Sequence, residues 1–555
     1  MVNRIEKHFL LTLILVCAGL YFFYLKPASI MEARNFIVAR EMVTDGNWLL
    51  TTMNGEPRYE KPPLPAWVTS PFLAVFGTDD ILWYRVPTSI VASLGIILLY
   101  FFVRDETGHR QLAGFAALIL ATSFYYVFIR FEAPSDVYAH VFMFAAVCAL
   151  HKFWKADQVR TGLLAAAALL TGLSILSKGP VSLYAILLPF LISWFAVYRA
   201  PLWKQKLAVQ VFYVLIALVV GGSWYAYIRI VDPAAVTETL SQETSRWGSY
   251  HARPIYYYWS FFAESGVWAV PALIGLFLFP RLKKQTRFPQ LYQFSFLWVL
   301  LTVVLLSLIP EKKSRYIMPV LIPLAILTAI TLRYFIAERR QHPGNLKKAV
   351  DYLVFGLPGV VAILAPASYF LLDIDTPGRW VWYGLTSLLF VATGAFILLQ
   401  VRRGQLEQGF YAIIGLHLLI AVIGLRATGM IPKSPGFRPV TSFRNPQHLP
   451  VYALGELTPQ IIWEMGEKIP ALTSRHLQET NRLYVLTDPD EAGMLAEMVG
   501  AEREITKADW FDRNELNSRG RKGYRGGFAK DIYLVNPKSR WAKAGKADRK
   551  PTFVQ

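Results

Sequence analysis

Runs of 15 to 22 consecutive, largely apolar residues recur along most of this 555-residue chain, and no other feature limits its fold so severely. A helix of about 20 residues spans the ~30 Å hydrocarbon core of a bilayer. Backbone polar groups inside that core must be bonded within the protein, so repeated runs of this length call for a bundle of helices. Only 17% of the residues are charged against 54% apolar, too little polar surface to coat a soluble globule of this size. A disulfide scaffold is excluded as well, because Cys17 and Cys148 are the only cysteines and both lie within apolar runs. The fold class expected is therefore an α-helical polytopic membrane protein.

Thirteen spans are expected, near residues 8–25, 85–103, 111–129, 137–154, 162–177, 180–198, 207–228, 259–280, 291–309, 316–335, 350–371, 380–400 and 408–425. The first is read as retained, because no small-residue cleavage site follows it before Lys26 and Pro27. The formal charge of +19 comes from 57 Lys and Arg against 38 Asp and Glu. In a soluble protein that excess would raise nucleic acid as a partner. Here the cations fall largely in alternate short loops, where they orient the spans and meet lipid phosphates, so membrane lipids and no nucleic acid are expected. Arg4 and Lys7 start on the cytoplasmic side, and an odd number of spans sends the C-terminus outside.

The segments 26–84, 229–258 and 426–555 then share the outer face. Residues 1–430 are expected to form the transmembrane domain, with outer loops 26–84 and 229–258, and residues 431–555 a small soluble α/β domain. That tail holds 15 of the 38 acidic residues. Its segments 482–487 and 530–535 read as strands flanking a helix that begins near Asp488, and the five prolines of 431–450 read as a linker.

Polar groups gather in the segments assigned to the outer face. Ser29 followed by Glu32 is a capping box for a surface helix, and Arg34 follows it. Lys61 is held between Glu60 and two prolines just before the chain meets the bilayer, where a fixed cation suits a membrane-embedded phosphate. Asp136 opens a span one turn after Pro134; an acid at the mouth of a bundle favours a functional cavity, although the helix dipole alone would also accommodate it. Lys178 occupies a tight turn between two spans. Arg246 and His251 sit in the second large loop among an aromatic belt. Lys312, Lys313 and Arg315, beside Tyr316, lie where the positive-inside bias disfavours cations. Two carboxylates, Glu32 and Asp136, beside a ring of cations make a site for transferring a group off a phosphate: acids activate an acceptor and cations neutralise a departing phosphate. No cluster has metal-ligand spacing, so neither a metal nor another cofactor is expected.

At these motifs the chain resembles the GT-C superfamily of polyprenyl-phosphate-sugar-dependent glycosyltransferases, on the branch of lipid A aminoarabinose transferases and bacterial relatives of protein O-mannosyltransferases. The residues that carry the resemblance are Glu32-Ala-Arg34 with Arg40-Glu-Met42 and Gly46-Asn-Trp48, Glu60-Lys-Pro-Pro63, Asp136, Lys178-Gly-Pro180, His251 to Tyr257, and Lys313 to Pro319. The resemblance implies about thirteen spans, an outward C-terminal domain, and inverting transfer of a sugar from undecaprenyl phosphate or a similar carrier at the periplasmic face of the inner membrane. The acceptor would be lipid A, a glycan or a protein. It further implies that Lys61 and Arg246 hold the donor phosphate with Arg34, Lys178, Arg315 and Tyr316, while Glu60, His251 and Lys313 support the site or the acceptor. The family usually has Asp-Glu in the first loop where this chain has Met31-Glu32, so either Glu32 alone or Asp136 carries the acidic role. A transporter or flippase of lipid-linked sugars is the alternative, although the polar groups cluster at one face rather than at the midplane. A non-catalytic scaffold would leave them without a task.

Overall fold

A computed structural model describes residue 13 and residues 27–246, 252–338, 345–371, 377–424 and 431–538. The chain divides into two compact units. The first contains Met42–Thr51 and Arg58–Ile431; the second combines Ala28–Glu41, Thr52–Pro57 and Pro432–Gln555.

The first unit is helical. Among the described residues eight helices are long and apolar enough to cross a membrane, or nine if the pair Arg110–Thr122 and Phe124–Glu132, bent by 47°, is one span. The bend falls at Ser123, whose backbone is extended and whose hydroxyl donates to the Ile119 carbonyl at 2.7 Å, a side-chain bond that competes with the helix ladder. The other expected spans take different forms. Residues 8–25 lie outside the described residues apart from Leu13, which is helical. The runs near 180–198 and 408–425 fold as shorter apolar helices, Leu183–Val197 and Leu406–Val422. Residues 350–371 break into a π turn, the helix Leu357–Ile363 and a 3-10 turn, Ala365–Leu371, as Pro358 and Pro366 each remove a backbone donor.

Helix Pro134–Lys155 packs on Thr161–Lys178, which packs in turn on Gln210–Val231. The last two approach closely because Gly221 lacks a side chain: a Cβ there would meet Ile175 at 2.8 Å. Within residues 26–84, expected as an outer loop, Leu64–Phe76 is an apolar helix with Pro65 in its first turn.

The second unit is built on a four-stranded sheet in the order β3-β4-β6-β5, formed by Val451–Ala453 (β3), Leu483–Thr487 (β4), Arg503–Asp512 (β5) and Ala529–Pro537 (β6). β3 runs parallel to β4, and the other pairings are antiparallel, with an irregularity between Lys507 and Asp509. Tyr484 and Leu486 enter one apolar cluster, Leu483 and Val485 another, so alternation along β4 serves both faces. Residues 432–450, within the segment expected as a linker, are part of this unit. Arg438 and Asp512 exchange backbone hydrogen bonds at 2.9 Å, and Val440 is buried.

The early part of the chain joins the same unit. On helix Ile30–Asp45, Phe36 packs against Trp463 at 5.1 Å between ring centroids, and Arg40 donates to the Ile462 carbonyl at 3.4 Å. Glu41, buried, accepts from the Thr52 hydroxyl at 2.6 Å and the Asn54 amide at 2.7 Å, fixing the hairpin of β1 (Thr52–Met53) and β2 (Glu56–Pro57). Asn54 and Ile469 then exchange two hydrogen bonds, at 2.7 and 2.8 Å.

Candidate functional site

The helical unit brings Asp136 and Lys178 together. Pro134 starts helix Pro134–Lys155, having no backbone N–H to leave unsatisfied, and puts Asp136 in the first turn, where a carboxylate meets the positive end of the helix dipole. Lys178 is the last residue of Thr161–Lys178, at the negative end of that dipole. Gly179 stops the helix with φ 80°, ψ −167°, a region few side chains tolerate, and a Cβ there would stand 3.2 Å from the Tyr225 hydroxyl.

Lys178 donates to Asp136, and the two side chains are only 5% and 1% exposed. A pair this deep is held by mutual compensation: taking away one partner leaves a buried charge, at a cost of about 3–5 kcal/mol. His140, one helical turn on, stands 3.7 Å from the same carboxylate oxygen, and its Nδ1 bonds Ser182 Oγ at 2.9 Å. On the other side the Lys178 ammonium lies 4.8 Å from the centre of the Tyr316 ring, and it feels the charges of Lys61 and Arg315. The Arg315 guanidinium is 5.7 Å from the same ring, and its Nε is buried without a hydrogen-bond partner.

The turn before Tyr316 is itself ordered by charge. Lys313 pairs with Glu311, and the Tyr316 hydroxyl donates to Glu311 at 3.3 Å. Burial works to raise the Glu311 pKa, but bonds to Lys313 and Tyr316 hold it below the usual glutamate value. Lys312, which the sequence placed among the phosphate-facing cations, does not join them: it is buried and donates to the carbonyls of Arg253 (3.1 Å) and Ile309 (2.6 Å), so its charge ties two backbone segments together.

Lys61 and Glu60 are half-buried in the bend before Leu64–Phe76. Their neighbour Tyr59 fixes that bend by donating to Asp232 at 2.9 Å and packing edge-on against Trp224. Burial together with the Asp232 carboxylate pushes the Tyr59 phenol up to about 12.

Glu32 and Arg34 belong to the second unit. The capping box is present there: the Ser29 amide donates to Glu32 at 3.0 Å and the Glu32 amide to Ser29 Oγ at 3.2 Å, with Glu32 fully buried. Arg34 is half-buried, with its Nε unpartnered. Arg246 ends helix Pro233–Arg246, its side chain outside the description, and His251 lies outside the described residues. Sequence reasoning gave no role to His140 or Ser182. The spacing of His140, four residues after Asp136 on one helix, was a usable signal; Ser182 offered none.

Residues 60–224 match the family model for dolichyl-phosphate-mannose-protein mannosyltransferase. An undecaprenyl phosphate-alpha-4-amino-4-deoxy-L-arabinose arabinosyl transferase of Pseudomonas savastanoi pv. phaseolicola is 25% identical, over 75% of this chain and 70% of its own. A second enzyme of that name, from Pseudomonas fluorescens, is 27% identical over 76% of this chain and 72% of its own. The crystal structure of ArnT from Cupriavidus metallidurans bound to undecaprenyl phosphate superposes with a TM-score of 0.69 at 18% identity, covering 96% of this chain and 98% of that one. At that identity the structural match speaks for the fold, and the sequence matches cover most of the same length. Over most of its length the chain is thus similar in sequence to undecaprenyl phosphate-aminoarabinose arabinosyl transferases and in fold to ArnT, and residues 60–224 carry the mannosyltransferase pattern.

Proposed function

We propose that this chain is an integral membrane glycosyltransferase that moves a sugar from a polyprenyl phosphate, of which undecaprenyl phosphate is the expected member, to an acceptor at the periplasmic face. The observation that carries this reading is the buried Asp136–Lys178 pair beneath Tyr316, with the charges of Lys61 and Arg315 beside it. Undecaprenyl phosphate appears in the names of the relatives and beside the superposed ArnT, which supports the same donor class here.

The chemistry follows from the charges. The acceptor oxygen attacks the anomeric carbon from the side opposite the phosphate, inverting it, while the carbon–oxygen bond to the carrier breaks and its electron pair stays on the phosphate. Lys61, Lys178 and Arg315 neutralise that growing charge. At rest Lys178 is occupied by Asp136. When Lys178 turns to the carrier phosphate, Asp136 is released to take the acceptor proton, with His140 behind it. Glu32, engaged in its capping box, has a structural task already. The cations on alternate loops of the thirteen spans read from the sequence support a periplasmic site and C-terminus, with the transmembrane domain ending near 430. Lipid A, a glycan or a protein is the acceptor class.

The test is Lys61→Ala in the purified full-length protein. Loss of a charge-assisted contact worth ~1.5–3 kcal/mol should weaken undecaprenyl phosphate binding by roughly 10- to 150-fold and abolish transfer, while insertion and purification are unaffected. Mass spectrometry of envelope lipids and glycoproteins from cells with and without the gene identifies the acceptor. Normal turnover by Lys61→Ala would remove the phosphate role.

A further inference from the structure

A second site lies at the far end of the same helix. Trp154 follows Asp136 by 18 positions on Pro134–Lys155, which at 1.5 Å per residue places it roughly 27 Å away. Around it Leu150, Leu191, Phe195, Trp203 and Gln210 line an apolar cavity of about 300 Å³, within the range of ligand pockets.

Two donors in its wall are unpaired. Trp154 is 3% exposed, yet its Nε1 has no hydrogen-bond partner, and neither has the buried Nε2 of Gln210. In a membrane protein an orphaned donor at this depth is expensive. The Tyr213 hydroxyl, also in the wall, is bonded to Thr171 at 2.8 Å. Lys206, fully buried, caps the end of Trp154's helix through the carbonyls of Trp154 (2.9 Å) and Ala156 (2.5 Å). Phe195, Trp203 and Leu207 are exposed at the mouth, and exposed Arg199 and Lys204 follow Phe195 and Trp203 in the chain.

We infer that this cavity binds a glycerophospholipid as a structural lipid, with an acyl chain in the apolar space. An ester carbonyl of that lipid accepts from Trp154 Nε1 and Gln210 Nε2, and its phosphate faces Arg199 and Lys204. The two donors decide between lipid classes. A polyprenyl tail is hydrocarbon throughout and has no acceptor to offer them, whereas an ester-linked lipid carries carbonyls at the base of its headgroup. The site is thus distinct in place and in chemistry from one that takes the carrier phosphate near Lys178.

The experiment compares binding of dioleoyl phosphatidylglycerol, its ether-linked counterpart and undecaprenyl phosphate to the delipidated full-length protein by native mass spectrometry. The ester lipid should bind best. Trp154→Phe and Gln210→Leu, which keep most of the volume and remove one donor each, should each weaken ester-lipid binding by ~2- to 10-fold, and together erase the preference for ester over ether. Leu191→Trp, which fills the space and leaves both donors, should expel the lipid while undecaprenyl phosphate binding stays unchanged. Equal binding of ester and ether lipids to the parent protein would overturn the inference. So would unaltered ester-lipid binding in both Trp154→Phe and Leu191→Trp, or competition of undecaprenyl phosphate for this site.

Discussion

Separating Asp136 from Lys178 probes the centre of the proposed site most directly. Exposures of 1% and 5% place the pair in the buried regime, where losing one partner costs about 3–5 kcal/mol, rather than the 0–1 kcal/mol of a surface pair. The two single changes are not equivalent. Lys178→Met leaves a carboxylate that still faces His140 at 3.7 Å, a ring able to carry positive charge. Asp136→Asn leaves an ammonium whose other charged neighbours, Lys61 and Arg315, repel it. Asp136→Asn should therefore lie at the upper end of the range and Lys178→Met at the lower. The double variant holds no uncompensated charge and should recover at least ~2 kcal/mol relative to the sum of the singles. Denaturant unfolding of all four proteins in one detergent, followed by tryptophan fluorescence, measures the cycle. Sugar transfer provides the second readout: the double variant should regain stability and remain inactive, because both groups act on the reacting centre. Additivity of the singles within ~0.5 kcal/mol, or activity returning together with stability, would refute the argument.

Glu32→Gln should leave transfer within a few-fold of the parent, because a glutamine completes the capping box as a glutamate does, whereas Asp136→Asn should slow the chemical step by about 10²–10⁴; single-turnover assays with equal losses in both would reassign the acidic role. Gly179→Ala should destabilise the helical unit by ~1–3 kcal/mol and misplace Lys178, because an alanine at φ 80°, ψ −167° is strained, and a thermal melt matching the parent's would contradict this. The Glu311 pKa is lower in the folded protein than in the unfolded chain, so the stability from its pair with Lys313 is complete above the usual glutamate value and lost as pH falls through the lowered folded value. Hydrogen exchange over residues 310–316, corrected for intrinsic rate, should show protection unchanged down to about pH 5, and opening at a higher pH would disagree.

Much of the helical framework could be read directly, because an apolar run of bilayer length has few ways to fold. What interrupts it was less legible. Ser123 bends residues 110–132, and nothing about a serine among apolar residues distinguishes a bend from a continuous span. Asp136 stood out as an acid at a helix mouth, but its partner is 42 residues away on the next helix, and pairing of that kind depends on packing. Lys312 misled for the same reason: a cation on the unfavoured side invited a phosphate, and backbone carbonyls took it instead. In the tail, β4 and β6 carry the dense apolar pattern of strands covered on both faces, whereas β5 interleaves charged residues that its exposed edge tolerates, and it went unseen. Prolines in 431–450 were read as a tether, yet proline also suits a segment that follows a sheet edge, as the exchange between Arg438 and Asp512 shows.

The sheet-bearing unit takes its first pieces from residues 28–41 and 52–57 and its remainder from residue 432 onward. During synthesis the early pieces must wait while roughly 375 intervening residues are made and inserted, which at about 5–20 residues per second takes about 20 to 75 s. Through that interval Phe36, Arg40 and Asn54 lack Trp463, Ile462 and Ile469. A nascent chain therefore carries an unfinished segment open to chaperones and proteases until its last quarter emerges. A gene cut at residue 431 would strand that segment permanently, and grafting the tail onto another membrane scaffold would fail unless the two short N-terminal stretches travelled with it.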